Sequence, residues 1–143
     1  MEKADILGRW EIVSWVQDYD DGRHIFPLGE ELEGFIQYDR DRMICMLVAA
    51  DRPAFTTGGQ WDASDTDKAE AYSSMLSYSG AYEVEGQNIH HHVDICLYPG
   101  WKGGTQTRRA ELGKDGLLYL TARLEDGTTE ARTAKLVWRR APA

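Results

Sequence analysis

Long hydrophobic runs, a basic surface and a cysteine framework are all missing from this 143-residue sequence. Its two cysteines, Cys45 and Cys96, lack the spacing of a zinc knuckle or a disulfide framework, so we expect two free thiols. No apolar stretch approaches the length of about 18 residues that a membrane-spanning helix needs. Lys and Arg number 16 against 24 Asp and Glu, which gives a net charge of -8. This acidic balance argues against nucleic-acid binding.

The composition is that of an ordinary globular protein, with 42% hydrophobic and 28% charged residues. A chain of this length suits one domain, predicted here to span residues 1–143. The first residues, MEKADILGRW, already have the pattern of folded sequence rather than of a signal peptide. We therefore expect a cytoplasmic protein with a small-molecule partner and no membrane partner. A homodimer is left open, because the sequence does not decide the oligomeric state.

Strand patterns fill most of the chain, and turn residues close each of them. Short connections such as GQ, GKDG and EDGT separate the later strands, which is typical of an antiparallel meander rather than of alternating strands and helices. The predicted fold class is all-β. The eight predicted strands cover residues 9–18, 34–39, 43–50, 78–85, 88–98, 105–112, 117–124 and 130–140.

A single segment, SDTDKAEAYSSML, favours a helix, and it lies between the third and fourth predicted strands. Ser64 and Asp67 match a capping box at its start. If the meander closes into a barrel, this short helix would cover one end, either as a fixed plug or as a mobile lid. The apolar residues at helical spacing are Ala69, Tyr72, Met75 and Leu76.

Three consecutive histidines lie in the fifth predicted strand, NIHHHVDICLY. Side chains alternate between the two faces of a strand, so His91 lies on the inner face and His90 and His92 face solvent. As an inward residue, His91 is either a core histidine held by a hydrogen bond or a ligand-facing polar group that can act as an acid or base. The apolar residues that share its face are Ile89, Val93, Ile95 and Leu97.

The two outer histidines also have the spacing of a metal site. His90 and His92 could supply two imidazoles to one zinc ion, with Asp94 or His24 as a third ligand. The alternative is that both are solvated strand residues, and we favour it because no third ligand is evident. We therefore expect no metal and no other cofactor.

The same alternation places an arginine inside the molecule, at Arg108 in the sixth predicted strand. Burial of a cation without a partner costs several kcal/mol, so its charge must be compensated. An internal carboxylate or Tyr82 could do this, as could a carboxylate, enolate or carbonyl group of a ligand. The other residues predicted to face inward on the first, fourth and sixth strands are Trp10, Ile12, Ser14, Val16, Tyr82, Val84, Gln106, Ala110 and Leu112.

Two residues outside the strands are further candidates for ligand contact. Arg52, in ADRPAF, begins the long polar loop, where it either ties the loop to the sheet or touches a ligand. Trp101, in PGWKGG, is either an aromatic residue at the rim of an apolar pocket or part of ordinary loop packing.

Several motifs together resemble the bacterial and fungal lipocalin-like domain family. LGRW, with Gly8 and Trp10, is similar to the glycine-x-tryptophan signature of lipocalins, and LVWRR resembles the terminal strand whose arginine packs across that tryptophan. The resemblance covers nearly the whole chain and implies an eight-stranded antiparallel up-and-down barrel of the calycin type with an internal pocket. It does not imply a reaction. The remaining motifs, in family order, are PLG, GFIQYDRDRM, ADRPAF, YSGAYEVEG, HHVDICLYPGW and GGTQTRRAEL.

Two functional hypotheses follow. In the first, the barrel binds a small, mostly apolar metabolite with a polar or acidic end, oriented by Tyr82, His91, Gln106 and Arg108. In the second, the protein is a cofactor-independent isomerase, cyclase or lyase of secondary metabolism, acting for example on a polyketide or terpenoid intermediate. His91 would then be the base and Arg108 would stabilise the oxyanion. We expect these two residues near a diagonal pairing, at roughly 7–8 Å, where the cation depresses the pKa of the histidine.

Overall fold

The computed structural model describes residues 1–142 as a single antiparallel sheet that closes on itself. Ala143, the last residue of the predicted domain, lies outside the described residues. The eight barrel strands follow from the short strand patterns and turns of the sequence. In chain order the elements are α1 (Lys3–Ile6), β1 (Gly8–Tyr19), β2 (His24–Ile25), β3 (Leu32–Tyr38), β4 (Arg42–Ala49), α2 (Asp65–Ser73), β5 (Met75–Glu85), β6 (Asn88–Cys96), a 3₁₀ turn (Pro99–Trp101), β7 (Thr105–Leu112), β8 (Leu118–Leu124) and β9 (Arg132–Arg140).

The first and last long strands close the barrel. β1 pairs with β9 from Trp10 opposite Arg140 to Tyr19 opposite Arg132, while each remaining long strand pairs with its neighbours in chain order. Eight strands therefore form the closed antiparallel barrel that was predicted. The two-residue strand β2 is an addition, and it pairs only with the end of β1.

The helices differ from the expected single helix between the third and fourth strands. A short helix, α1, precedes the barrel, and α2 follows the fourth strand in chain order because β2 comes before it. The helix was also predicted to extend too far along the chain, since α2 ends at Ser73. Met75 and Leu76 belong to β5, where they pair with Val48 and Leu47 of β4, since strand pairing and burial outweigh the helical pattern.

The two tryptophans of the predicted signature regions lie in the core. Trp10 and Trp138 are almost fully buried, and the Nε1–H of Trp10 donates to the carbonyl of Ile6 in α1. The guanidinium of Arg140 lies 4.1 Å from the centre of the Trp10 ring. The predicted contact between a terminal arginine and the tryptophan is therefore confirmed.

Two register shifts reverse the predicted faces of part of β1 and β6. In β1 the pairing with β9 shifts between Ile12 and Ser14, so that Trp15 and Gln17 line the interior and the predicted Ser14 and Val16 do not. A β-bulge adds one residue to a strand and thereby reverses the alternation beyond it.

In β6 the shift lies between Val93 and Ile95. Ile95 is 67% exposed, and Cys96 packs against the core instead, so the inward prediction for Ile95 is wrong. The inward prediction for Leu112 is also wrong, because this last residue of β7 is 40% exposed.

Cys45 and Cys96 are free thiols, as expected. Among residues 1–142, no helix combines the length and the hydropathy that crossing a membrane would require.

Candidate functional site

The barrel contains a cavity of about 320 Å³ with a mostly apolar wall. This volume lies at the lower end of the range for small-molecule sites. Strands β1, β3, β4, β5, β7, β8 and β9 contribute side chains to it, together with the 3₁₀ turn after β6. Its lining residues are Trp15, Gln17, Ile36, Cys45, Leu76, Tyr78, Tyr98, Trp101, Gln106, Arg108, Leu120, Leu124, Glu125, Arg132, Ala134, Leu136 and Trp138.

Arg108 carries a positive charge at this apolar wall. It alternates inward from β7 with Gln106, as predicted, and its NH2 group donates to Gln106 Oε1 at 3.3 Å. Its NH1 group donates to the carbonyl of Thr107 at 3.2 Å. No ion pair within residues 1–142 includes Arg108. Its neighbours are thus neutral acceptors, and the charge itself has no carboxylate partner in the described part of the chain.

His91 is fully buried and lies behind the cavity wall rather than on it. The Tyr78 hydroxyl lies 2.9 Å from Nδ1 of His91, and the Tyr38 hydroxyl lies 2.7 Å from Nε2. The inward orientation is as predicted, and both ring nitrogens have hydrogen-bond partners. Of these three residues, only Tyr78 reaches the cavity.

The pKa values of this group are shifted strongly. Burial, as the larger cause, and the positive charge of Arg108, as a smaller one, lower the pKa of His91 to about 3. The predicted depression by Arg108 is confirmed in direction, although burial is the larger cause. Burial also raises the pKa values of Tyr38 and Tyr78. All three side chains are therefore neutral near pH 7.

Tyr82 and Arg52, two of the predicted contacts, lie away from the cavity wall. The buried Tyr82 hydroxyl donates to the carbonyl of Asp39. The Nε–H of Arg52 donates to Ser74 Oγ at 2.9 Å, which ties the start of the long loop to the end of α2. Tyr82 is therefore not the partner of Arg108. Tyr78, by contrast, lines the cavity together with Arg108.

Trp101 does line the cavity, in agreement with the rim interpretation. Its ring packs edge-on against Tyr78, with 5.3 Å between the ring centres, and also contacts Tyr98. The structure thus brings Trp101, Gln106 and Arg108 together on the cavity wall. His91 lies behind that wall, in contact with the lining residue Tyr78.

Several lining residues were not identified from the sequence. Tyr78 could have been found by extending the alternation of Tyr82 two steps back along β5, and Trp138 by alternation along β9. Trp15 and Gln17 could not have been found, because the register shift in β1 has no marker in the sequence.

Three of the lining residues carry a buried N–H group that has no acceptor in the part of the chain that the structure describes. These groups are Nε1 of Trp15, Nε of Arg132 and Nε1 of Trp138. Buried donors are nearly always paired in native proteins, so three on one cavity wall are unusual.

The outer histidines face away from the cavity, as predicted. His90 bonds through its ring nitrogens with Thr107 and Glu85, and His92 with Thr105 and Glu83. The two candidate third ligands are engaged elsewhere, since Asp94 pairs with Arg42 and His24 pairs with Asp18. Within residues 1–142 no three His, Cys, Asp or Glu side chains are grouped so as to hold a metal ion.

Comparison with known proteins identifies a family and similar solved structures. The family model described as "Lipocalin-like domain" matches residues 7–141. A solved structure of an uncharacterized protein from Bacteroides eggerthii is similar over 95% of this chain and 99% of its own, with 14% sequence identity and a TM-score of 0.45. A search of curated proteins found no match.

Proposed function

The chain belongs to the lipocalin-like domain family, and from this premise we propose that its barrel binds a small, mostly apolar organic molecule with an acidic end. The single observation that carries the proposal is Arg108, a cation on an apolar cavity wall whose charge has no carboxylate partner among residues 1–142. Arg108 is partly buried, and a partly desolvated charge is stabilised by a partner of opposite sign and by hydrogen bonds. An acid group on the ligand would supply that partner.

The remainder of the cavity supports an apolar body for the ligand. Ile36, Leu120 and Leu136 line it from different strands, and Trp101 and Tyr78 add aromatic surface. Burial of apolar surface contributes about 25 cal/mol for each Å² removed from water, so these walls favour a hydrocarbon or aromatic ligand.

The geometry favours binding over the enzymatic alternative, in which His91 is the base. Both ring nitrogens of His91 are engaged by tyrosines, and the residue does not line the cavity. A substrate proton could reach His91 only through Tyr78. A general base must lie within hydrogen-bond reach of the proton that it removes, or one water away.

The proposal can be tested with N-phenyl-1-naphthylamine, a neutral apolar dye whose fluorescence rises in apolar sites. We expect the dye to bind at one site per chain, and Ala134→Phe, which fills the cavity, to abolish binding. The matched control is Thr133→Phe, because Thr133 bonds with Arg123 and is not a lining residue. Equal binding by both variants would place the dye outside the barrel and contradict the proposal.

A further inference from the structure

Three buried side chains form a hydrogen-bonded chain that ends at the cavity. Tyr38 is the sealed end, His91 is the middle, and Tyr78 lies on the cavity wall. The described residues offer the Tyr38 hydroxyl no partner other than His91 Nε2. The chain therefore has only two possible directions of donation.

In the first direction, Tyr78 donates to Nδ1 of His91 and the Nε2–H of His91 donates to the Tyr38 oxygen. The Tyr38 hydroxyl proton would then have no acceptor in a sealed part of the core. An unpaired buried donor is costly, because it loses its hydrogen bond to water and gains none in the protein. This direction is therefore disfavoured.

In the second direction, Tyr38 donates to Nε2 and the Nδ1–H of His91 donates to the Tyr78 oxygen. The only proton left without an acceptor is then that of the Tyr78 hydroxyl, at the cavity wall. A ligand can accept it there. Arg108 lines the same cavity.

We propose that Tyr78 and Arg108 together bind an organic oxyanion, such as a carboxylate, a sulfonate or an enolate, and that His91 is the positioning residue that directs the Tyr78 hydroxyl toward it. This inference rests on the proposed function, since it names the group by which the same ligand is recognised. His91 touches no ligand atom. Its neutral, Nδ1-protonated ring holds the phenol in the donating direction.

The remaining polar groups of the wall agree with an acceptor-bearing ligand. The buried N–H groups of Trp15, Arg132 and Trp138 lack acceptors within residues 1–142. These three residues belong to β1 and β9, which lie across the barrel from β5 and β6 in the order of the closed sheet. These N–H groups are buried within the wall and so offer a ligand no acceptor, and an amine would add donors to a wall already rich in them.

Two dyes that differ by one anionic group test the oxyanion. 8-Anilinonaphthalene-1-sulfonate is N-phenyl-1-naphthylamine with a sulfonate added. We expect Arg108→Gln to weaken binding of the sulfonate dye by about tenfold or more, and Tyr78→Phe by about fivefold, as for the loss of hydrogen bonds to a charged group. Both variants should bind the neutral dye within about threefold of the wild type.

Arg109→Gln is the matched control, since Arg109 neighbours Arg108 on β7 but is exposed and does not line the cavity. We expect it to bind both dyes as the wild type does. If the wild type binds both dyes and neither Arg108→Gln nor Tyr78→Phe changes their ratio, this inference is wrong and the proposed function stands. If neither dye binds the wild type, the proposed function itself is wrong.

The role of His91 is tested without any substitution. In ¹⁵N-labelled wild-type protein, long-range ¹H–¹⁵N correlations separate the two neutral tautomers of each histidine. We expect His91 to carry its proton on Nδ1 and to show an unprotonated Nε2 signal. A proton on Nε2 would reverse the direction of the chain and overturn the positioning role, even if the dye results held.

Discussion

At the scale of single residues, three adjacent histidines differ in burial and in hydrogen-bond partners although they are the same residue type. His91 is fully buried between two phenols, whereas the His90 and His92 rings lie on the outer face and bond with threonine and glutamate side chains. His90 and His92 are the immediate sequence neighbours of His91. Because the two faces of a strand differ in their access to water, that single step places His91, but not its two neighbours, in the fully buried core.

Acid should destabilise the protein through His91. Above about pH 6.5 the histidine is neutral in both states, and between 6.5 and its folded pKa of about 3 the unfolded chain binds a proton that the native protein does not. Stability therefore falls as the pH falls through this window, by at most about 1.4 kcal/mol per pH unit. We expect urea unfolding of the wild type between pH 7 and pH 4 to show this loss.

The variant His91→Phe removes the titrating group, so its urea midpoint should depend less on pH over the same window. Its midpoint at pH 7 should also fall, since two buried phenols lose a partner. His92→Ala is the control and should keep the wild-type profile. If the profiles of wild type and His91→Phe are parallel, burial does not hold His91 neutral.

At the scale of elements, the register shift in β6 decides which side chains of that strand reach the core. Val93 is buried and Ile95 is exposed, although strict alternation would place both inward. Asp94 is the residue that the shift adds between them, and its carboxylate pairs with Arg42 of β4 on the outer face. The bulge thus exchanges an inward isoleucine for the partly buried Cys96.

Lysine substitutions on either side of the bulge should therefore have unequal effects. Val93→Lys buries an unpaired cation and should cost more than about 3 kcal/mol of unfolding free energy, whereas Ile95→Lys should change it by less than about 0.5 kcal/mol. Urea titration of both variants measures the difference. Equal losses would mean that β6 keeps strict alternation.

The long loop before α2 depends on one carboxylate. Asp67 accepts hydrogen bonds from the backbone of Thr56 and Thr57 and from the Thr57 hydroxyl, instead of completing the predicted capping box. These bonds, that from the Thr57 hydroxyl above all, lower the pKa of the Asp67 carboxyl. The helix start is instead capped by Ser64, whose Oγ accepts from the Asp67 N–H at 3.2 Å.

Replacing Asp67 with Asn removes the charged acceptor and should free the loop. We expect faster proteolytic cleavage within residues 50–64 in Asp67→Asn than in the wild type, with the barrel intact by circular dichroism. Asp65→Asn is the matched control from the same helical turn, since no side-chain hydrogen bond of Asp65 ties it to the loop. Equal cleavage rates in both variants would show that Asp67 does not hold the loop.

At the scale of the whole molecule, closure of the barrel joins residues near the two ends of the chain. β1 and β9 pair along most of their lengths, and Arg140 reaches back to the carbonyls of Leu7 and Asp5, both at 2.8 Å. The same guanidinium covers the Trp10 ring. One residue therefore links the last strand, the first strand and α1.

Arg140→Ala should lower the unfolding free energy by about 1–2 kcal/mol, because it removes a cation–π contact and two hydrogen bonds to the backbone. Arg139→Ala should change it by less than about 0.5 kcal/mol, as for an ordinary exposed residue. Urea titrations of the two variants give the comparison. If Arg139→Ala lowered the unfolding free energy as much as Arg140→Ala, the loss would come from removing a positive charge rather than from the contacts that Arg140 makes across the closed barrel.

Much of the fold follows from the sequence alone. The period-two alternation and the turn residues located all eight barrel strands, and β7 has the predicted bounds of 105–112. The same pattern placed Gln106 and Arg108 at the cavity and His90 and His92 outside it. These features are local, because the direction of a side chain in a regular strand depends only on its position along that strand.

Tertiary structure decided the remainder of the site. The register shifts that bring Trp15 and Gln17 to the cavity arise from pairing between β1 and β9, strands at opposite ends of the chain. The bond between Tyr38 and His91 joins residues 53 positions apart. Neither can be found by periodicity, because a bulge and a buried hydrogen bond exist only once two distant segments meet. The sequence therefore determined the strands and the faces of their regular parts, whereas closure of the barrel determined which polar groups share its interior.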